Sequence, residues 1–126
     1  MLKNAKIMAF TGTRDAVRAK SFYRDQLGLT LVEENSFALV FEAAGTMLRV
    51  TNVPDLTPAQ YTVLGWEVPD ITAAVRALAA NGVAFARYPG MAQDTDGVWT
   101  SPAGAKVAWF ADPDGNILSL TQFTVK

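Results

Sequence analysis

Trp109-Phe110-Ala111-Asp112-Pro113-Asp114-Gly115-Asn116-Ile117-Leu118-Ser119-Leu120-Thr121 is the stretch whose reading decides the fold. Pro113 pre-sets the φ of a turn, Asp114 and Asn116 can hydrogen-bond their own backbone, and Gly115 tolerates positive φ. The two apolar runs on either side are thereby folded back as a hairpin. The last strand of the chain is predicted over 116–123, antiparallel to a strand over 106–111.

Working outward, the same kind of punctuation divides the rest of the chain. A strand over 7–11 is closed by Gly12 and Thr13. Asp15 or Thr13 then caps a helix whose apolar positions Ala16, Val17, Phe22, Tyr23 and Leu27 recur at three- and four-residue intervals up to a stop at Gly28. Strands follow over 29–33, 37–42 and 46–51, with turns at Asn35-Ser36 and Ala44-Gly45. The segment 52–60 carries Pro54 and Pro58 and reads as a linker. The order then repeats: a strand over 61–68, a helix capped by Asp70 that presents Ile71, Val75, Leu78 and Ala79, a stop at Asn81-Gly82, and strands over 84–88, 98–101, 106–111 and 116–123. Asp15 to Asp70 and Gly28 to Gly82 are nearly equal steps of 55 and 54 residues, which supports an internal duplication. The fold class is therefore α+β with two tandem βαβββ modules. The chain is expected to form a single domain over 1–126, with module one over 5–51, the linker over 52–60 and module two over 61–124.

Composition narrows the chemistry. Half of the 126 residues are hydrophobic, enough for a packed core. Eleven basic and twelve acidic residues leave a formal charge of −1, with no run of like charge, so no nucleic-acid partner is predicted. No apolar stretch reaches the roughly 18 to 20 residues that span a bilayer, and the first residues lead into a strand, not a signal sequence. A cytoplasmic location without membrane contact is the expectation. The chain has no cysteine and no histidine, which removes disulfides, thiolate metal sites, the cysteine nucleophile and the commonest metal ligand and general base.

The helix pattern Arg18-x-x-x-Phe22-Tyr23-x-x-x-Leu27-Gly28-Leu29, together with the Asp112-Pro113-Asp114-Gly115-Asn116 turn, resembles the vicinal oxygen chelate superfamily of glyoxalases, bleomycin-resistance proteins and extradiol dioxygenases. The resemblance runs over nearly the whole chain. It implies that the two modules form a curled mixed sheet around a cleft, and that the chain is a homodimer. In metal-dependent members each module contributes one ligand from its first strand and one from its last. Aligned on the quoted motifs, those four positions are Met8, Arg49, Val63 and Ser119. A thioether, a guanidinium, an isopropyl group and a hydroxyl do not make the oxygen and imidazole shell of a divalent metal. No metal and no cofactor is expected there. Asp94 and Asp96, two positions apart in the glycine-containing segment 89–97, read as turn formers more readily than as ligands. That segment is either a loop over a site or a plain connector.

Residues two apart on a strand share a face. If the four positions face the cleft, then Phe10, Met47, Thr51, Tyr61, Glu67, Ile117, Thr121 and Phe123 do too, while Leu48, Val50, Leu118 and Leu120 face the helices. Such a lining, mostly apolar and aromatic with a few polar groups, suits a small molecule. Arg49 can hold an anionic ligand or pair with Glu67. Trp66 reads as core, Trp99 as a stacking surface, and either Trp109 or Phe110 enters the cleft. The expected ligand-binding set is Arg49, Met8, Phe10, Met47, Tyr61, Val63, Glu67, Trp99, Ser119 and Thr121. The functional expectation is a metal-free protein that binds or sequesters a small aromatic or anionic molecule. The alternatives are a metal-independent lyase or isomerase using Glu67, Tyr61 or Tyr88 as acid or base, with Glu67 the candidate catalytic residue, and a non-catalytic association partner.

Overall fold

A computed structural model describes residues 1–124. The chain divides into two compact units, Met1–Thr57 and Pro58–Lys126. Each is built on a four-stranded mixed sheet, and together they make an α+β protein of two tandem modules.

In the first unit, β1 (Met8–Thr13) leads to a helical segment, α1 (Ala16–Lys20), continued by a π-helical turn over Ser21–Gln26. Then come β2 (Thr30–Glu34), β3 (Ala38–Ala43) and β4 (Thr46–Asn52), in sheet order β1-β4-β3-β2. Asp15 caps α1, its carboxylate accepting the Arg18 N–H at 3.2 Å, and the Thr13 hydroxyl accepts the Asp15 N–H at 3.1 Å. Both candidate caps are thus used in sequence. The single regular helix expected up to Gly28 is corrected. Its second half widens, with the Leu27 N–H donating to the Phe22 carbonyl at 2.9 Å and Leu29 N–H to Tyr23 at 3.0 Å. The wider turn lets adjacent Phe22 and Tyr23 both be buried, edge to face at 5.0 Å, and Tyr23 packs on Phe41 of the sheet at 5.8 Å. Gly28 ends the segment at a φ of 80°.

The second unit repeats the plan with β5 (Thr62–Glu67), α2 (Ile71–Ala80), β6 (Trp99–Thr100), β7 (Lys106–Ala111) and β8 (Ile117–Gln122), in sheet order β5-β8-β7-β6. Asp70 caps α2 through the Ala73 N–H at 3.1 Å, and Gln122 Oε1 accepts the orphan Ile71 N–H at 2.9 Å. The expected strand over 84–88 does not form. Phe85 makes one isolated bridge to Phe110 and Ala86 N–H reaches the Trp109 carbonyl at 2.7 Å. Beyond them the side chain of Gln93 replaces a partner strand: its Oε1 accepts the Tyr88 N–H and its Nε2 donates to the carbonyls of Ala86 and Gly97. The fourth strand of this sheet is the two-residue β6.

The hairpin that decides the fold is held by the first residue of its turn. Asp112 is the hub: its carboxylate accepts the N–H of Asp114 at 3.0 Å, the N–H of Asn116 at 2.9 Å and the Asn116 Nδ2–H at 2.8 Å. Gly115 takes a φ of 88° between them.

Candidate functional site

In the first unit the register fixes which side chains share a face. β1 runs parallel to β4 with Met8 opposite Met47 and Phe10 opposite Arg49, and β3 places Val40 beside Arg49 from the other side. The face carrying Met8, Phe10, Met47, Arg49 and Thr51 is the one turned away from the helix. Met8, Phe10 and Met47 are 44%, 59% and 37% exposed, against 4% and 0% for Leu48 and Val50 on the core face. Arg49 is half-buried. Among the described residues of its own unit it has no hydrogen-bond or ion-pair partner. Two acids nearby are already engaged: Glu33 accepts from Asn35 Nδ2 at 2.6 Å, and Glu42 from the Gly45 N–H at 2.6 Å. Arg49 therefore presents a guanidinium beside two thioethers and a phenyl ring.

In the second unit, Ser119 is flanked by Trp109 on β7 and Gly65 on β5, while Thr121 is flanked by Val107 and Glu67. Trp99 pairs with Val107. Trp109, Trp99, Ser119, Thr121 and Glu67 thus share one face. Phe110 pairs with Leu118 on the core side, where it contacts Trp66 at 6.3 Å and Phe85 at 5.2 Å. This resolves which of the adjacent aromatics stands on the open face: it is Trp109. Trp109 also meets Tyr88 edge-on at 5.7 Å and Trp99 at 6.1 Å.

Around these rings lies a pocket of about 250 Å³ lined by Gln60, Tyr61, Thr62, Tyr88, Met91, Trp109 and Ile117. Tyr61 belongs to the expected set. Tyr88 and Met91 do not, because the alternation argument stops where the strand stops and the loop carries them in. Strict alternation also fails at Val63, which lies at a bulge: Thr62 pairs with Ile117 and Leu64 with Leu118, so Val63 is an extra residue in β5. Glu67 stands at the other end of the same strand, exposed, and lines a separate depression with Val68, Pro69, Gln122, Phe123 and Thr124. Five residues of extended chain separate it from Thr62, about 16 Å. Glu67 and the rings are not brought together.

The segment 89–97 is bound down at several points. Besides Gln93, the Asp94 carboxylate accepts the N–H groups of Asp96 and Val98, both at 2.9 Å, and Asp96 pairs with Arg76 at 3.2 Å. Both acids are used in shaping the loop. Among the described residues no cluster of three or more His, Cys, Asp or Glu side chains is placed to hold a metal ion. The residues at the four aligned positions do not fit a divalent cation: Met8, Val63 and Ser119 offer no anionic donor, and Arg49 carries positive charge.

Comparison with known proteins places this geometry in context. The model of the Glyoxalase/Bleomycin resistance protein/Dioxygenase superfamily matches residues 8–120. No curated protein matches the chain. Among solved structures, an antibiotic binding protein from Streptomyces sp. CB03234, TnmS3, is 24% identical with a TM-score of 0.74, covering 98% of this chain and 99% of that one. A superfamily member from Sphaerobacter thermophilus is 23% identical with a TM-score of 0.74, over 98% and 100% of the two chains. A lactoylglutathione lyase from Agrobacterium tumefaciens is 16% identical with a TM-score of 0.72, over 94% and 93%. At these identities the structural likeness establishes the fold.

Proposed function

We infer that this chain, which belongs to the Glyoxalase/Bleomycin resistance protein/Dioxygenase superfamily, is a metal-free protein that binds or sequesters a small aromatic or anionic molecule. The observation that carries the reading is the pocket around Trp109, walled by Tyr61, Tyr88, Met91 and Ile117. Aromatic faces grip planar ligands through offset or edge-to-face contact. In the first unit, Arg49 is a separate feature that favours an anionic ligand, since a half-buried guanidinium with no partner in its own unit is best satisfied by an incoming carboxylate or phosphate. The donor chemistry at Met8, Arg49, Val63 and Ser119 argues for a role other than metal-assisted catalysis. The antibiotic binding protein of the same fold offers a precedent for sequestration. The protein acts in this reading as a cytoplasmic homodimer.

A thermal-shift screen against 2-naphthoate, related aromatic acids and divalent metals tests the proposal, repeated with Trp109→Ala and Arg49→Ala. A ligand that binds only the native state stabilises it by RT ln(1 + [L]/Kd), about 2.7 kcal/mol at a hundredfold excess over Kd. Stabilisation by aromatic acids that is lost in Trp109→Ala is the expected result, and Arg49→Ala reports separately on anion binding in the first unit. A chelator-reversible shift from a metal would overturn it. Turnover of a bound compound that disappears in Glu67→Gln would replace it with metal-independent catalysis, and light scattering reports the dimer.

A further inference from the structure

The second unit contains another pocket, formed by α2, the segment after it and the end of the loop. It encloses about 240 Å³ and is lined by Val75, Arg76 and Ala79 of the helix, by Val83, Phe85 and Arg87, and by Thr95, Asp96 and Gly97. It shares no lining residue with the pocket around Trp109. We propose that it is a second binding site, for a small organic carboxylate with an apolar body.

The floor is carbon. Val75 and Val83 are buried, and Phe85 packs on Phe110 at 5.2 Å, so an apolar body placed there meets the surface of the core. The rim is cationic. Two guanidiniums, Arg76 and Arg87, stand against one carboxylate, Asp96. Arg76 spends its charge on Asp96, donating through Nε at 3.4 Å and Nη2 at 3.2 Å. Arg87 spends none: it donates from Nη2 to the backbone carbonyl of Asp94, a neutral acceptor, and has no carboxylate partner among the described residues of its unit. The rest of its planar fork is free to take a carboxylate with two parallel hydrogen bonds. Fastening the loop to α2 needs only the Arg76–Asp96 pair; it requires neither a second guanidinium nor an open volume beneath it. The volume lies just under the range of about 300 to 1,000 Å³ typical of drug-sized ligands, which limits the body to one ring or a short chain.

Sodium benzoate is the probe, titrated into the isotope-labelled full chain at constant ionic strength and followed through backbone amide resonances. Saturable shifts are expected at Ala79, Arg87, Thr95 and Gly97. Arg87→Gln weakens binding about tenfold or more through loss of the charged fork, and inorganic phosphate, which has no apolar body, binds more weakly by a similar factor. Ala79→Leu fills the pocket and abolishes the benzoate response while the remaining spectrum stays dispersed. Arg49→Ala, in the other unit, leaves it unchanged, so this site stands or falls separately from the function proposed above. Shifts that do not saturate, an unaltered affinity in Arg87→Gln or Ala79→Leu, or phosphate binding as tightly as benzoate would overturn the proposal and leave the two arginines as supports of the loop.

Discussion

The hydroxyl of Ser119 occupies the space that a side chain on Gly65 would take: a Cβ built on Gly65 lies 2.8 Å from Ser119 Oγ. The two residues are partners across the parallel β5–β8 ladder, and Ser119 is buried. The aligned ligand position in the last strand is therefore packed against its neighbour, with Trp109 on its other side.

Gly65→Ala is accordingly expected to destabilise the protein by about 1–3 kcal/mol through overpacking. Ser119→Ala removes the opposing oxygen, so the double variant recovers most of the loss. A double-mutant cycle by denaturant unfolding checks it; purely additive losses would show that the close approach is relieved elsewhere.

Asp112→Ala removes the acceptor of three hydrogen bonds from Asp114 and Asn116, and those donors are in buried residues. A loss of about 2–4 kcal/mol is expected, because charge-assisted bonds are worth more than neutral ones and unmatched buried donors cost more still. Chemical denaturation measures it. A loss as small as that of an ordinary surface substitution would mean that the turn is set by Pro113 and Gly115 alone.

Gln93→Ala leaves the Tyr88 N–H and the carbonyls of Ala86 and Gly97 without the side chain that joins them. Hydrogen exchange at Tyr88 is expected to accelerate, and because Tyr88 and Met91 wall the pocket around Trp109, affinity for 2-naphthoate falls with it. Exchange at the β7 and β8 amides stays unchanged. Unaltered protection of Tyr88 would show that the loop is held without this amide.

At the exposed end of the π-helical turn, Arg24 Nε donates to Asp25 at 2.8 Å. The hydrogen bond from Arg24 holds the Asp25 carboxyl below the ordinary aspartate value, the charges adding in the same direction, and the Arg24 guanidinium is raised in turn. A depressed carboxylate contributes stability above its unfolded value and loses it as pH falls through the folded one. A carboxyl-carbon NMR titration is expected to give a low midpoint for Asp25 that moves up in Arg24→Gln. Both side chains are exposed, so the thermal midpoint at neutral pH hardly changes.

Much of this molecule was legible before any coordinates. The turn at Asp112 to Asn116, the caps at Asp15 and Asp70, and the alternation that sends Leu48, Val50, Leu118 and Leu120 to the core are local consequences of residue type and strand period. The donor inventory was equally plain: a chain without His or Cys cannot supply imidazole or thiolate anywhere. Other features depended on atoms distant in sequence. The 84–88 run has strand-like composition, but Gln93 satisfies its backbone before a second strand can. The bulge at Val63 shifts the register where β5 meets β8, so the residues before it leave the two-residue period. Trp109 and Phe110 are equivalent aromatics until the register with Ser119 and Leu118 separates them. Period and turn chemistry act over a few residues and are written in the sequence; which neighbour completes a hydrogen bond or a pocket wall is decided only when the chain closes on itself.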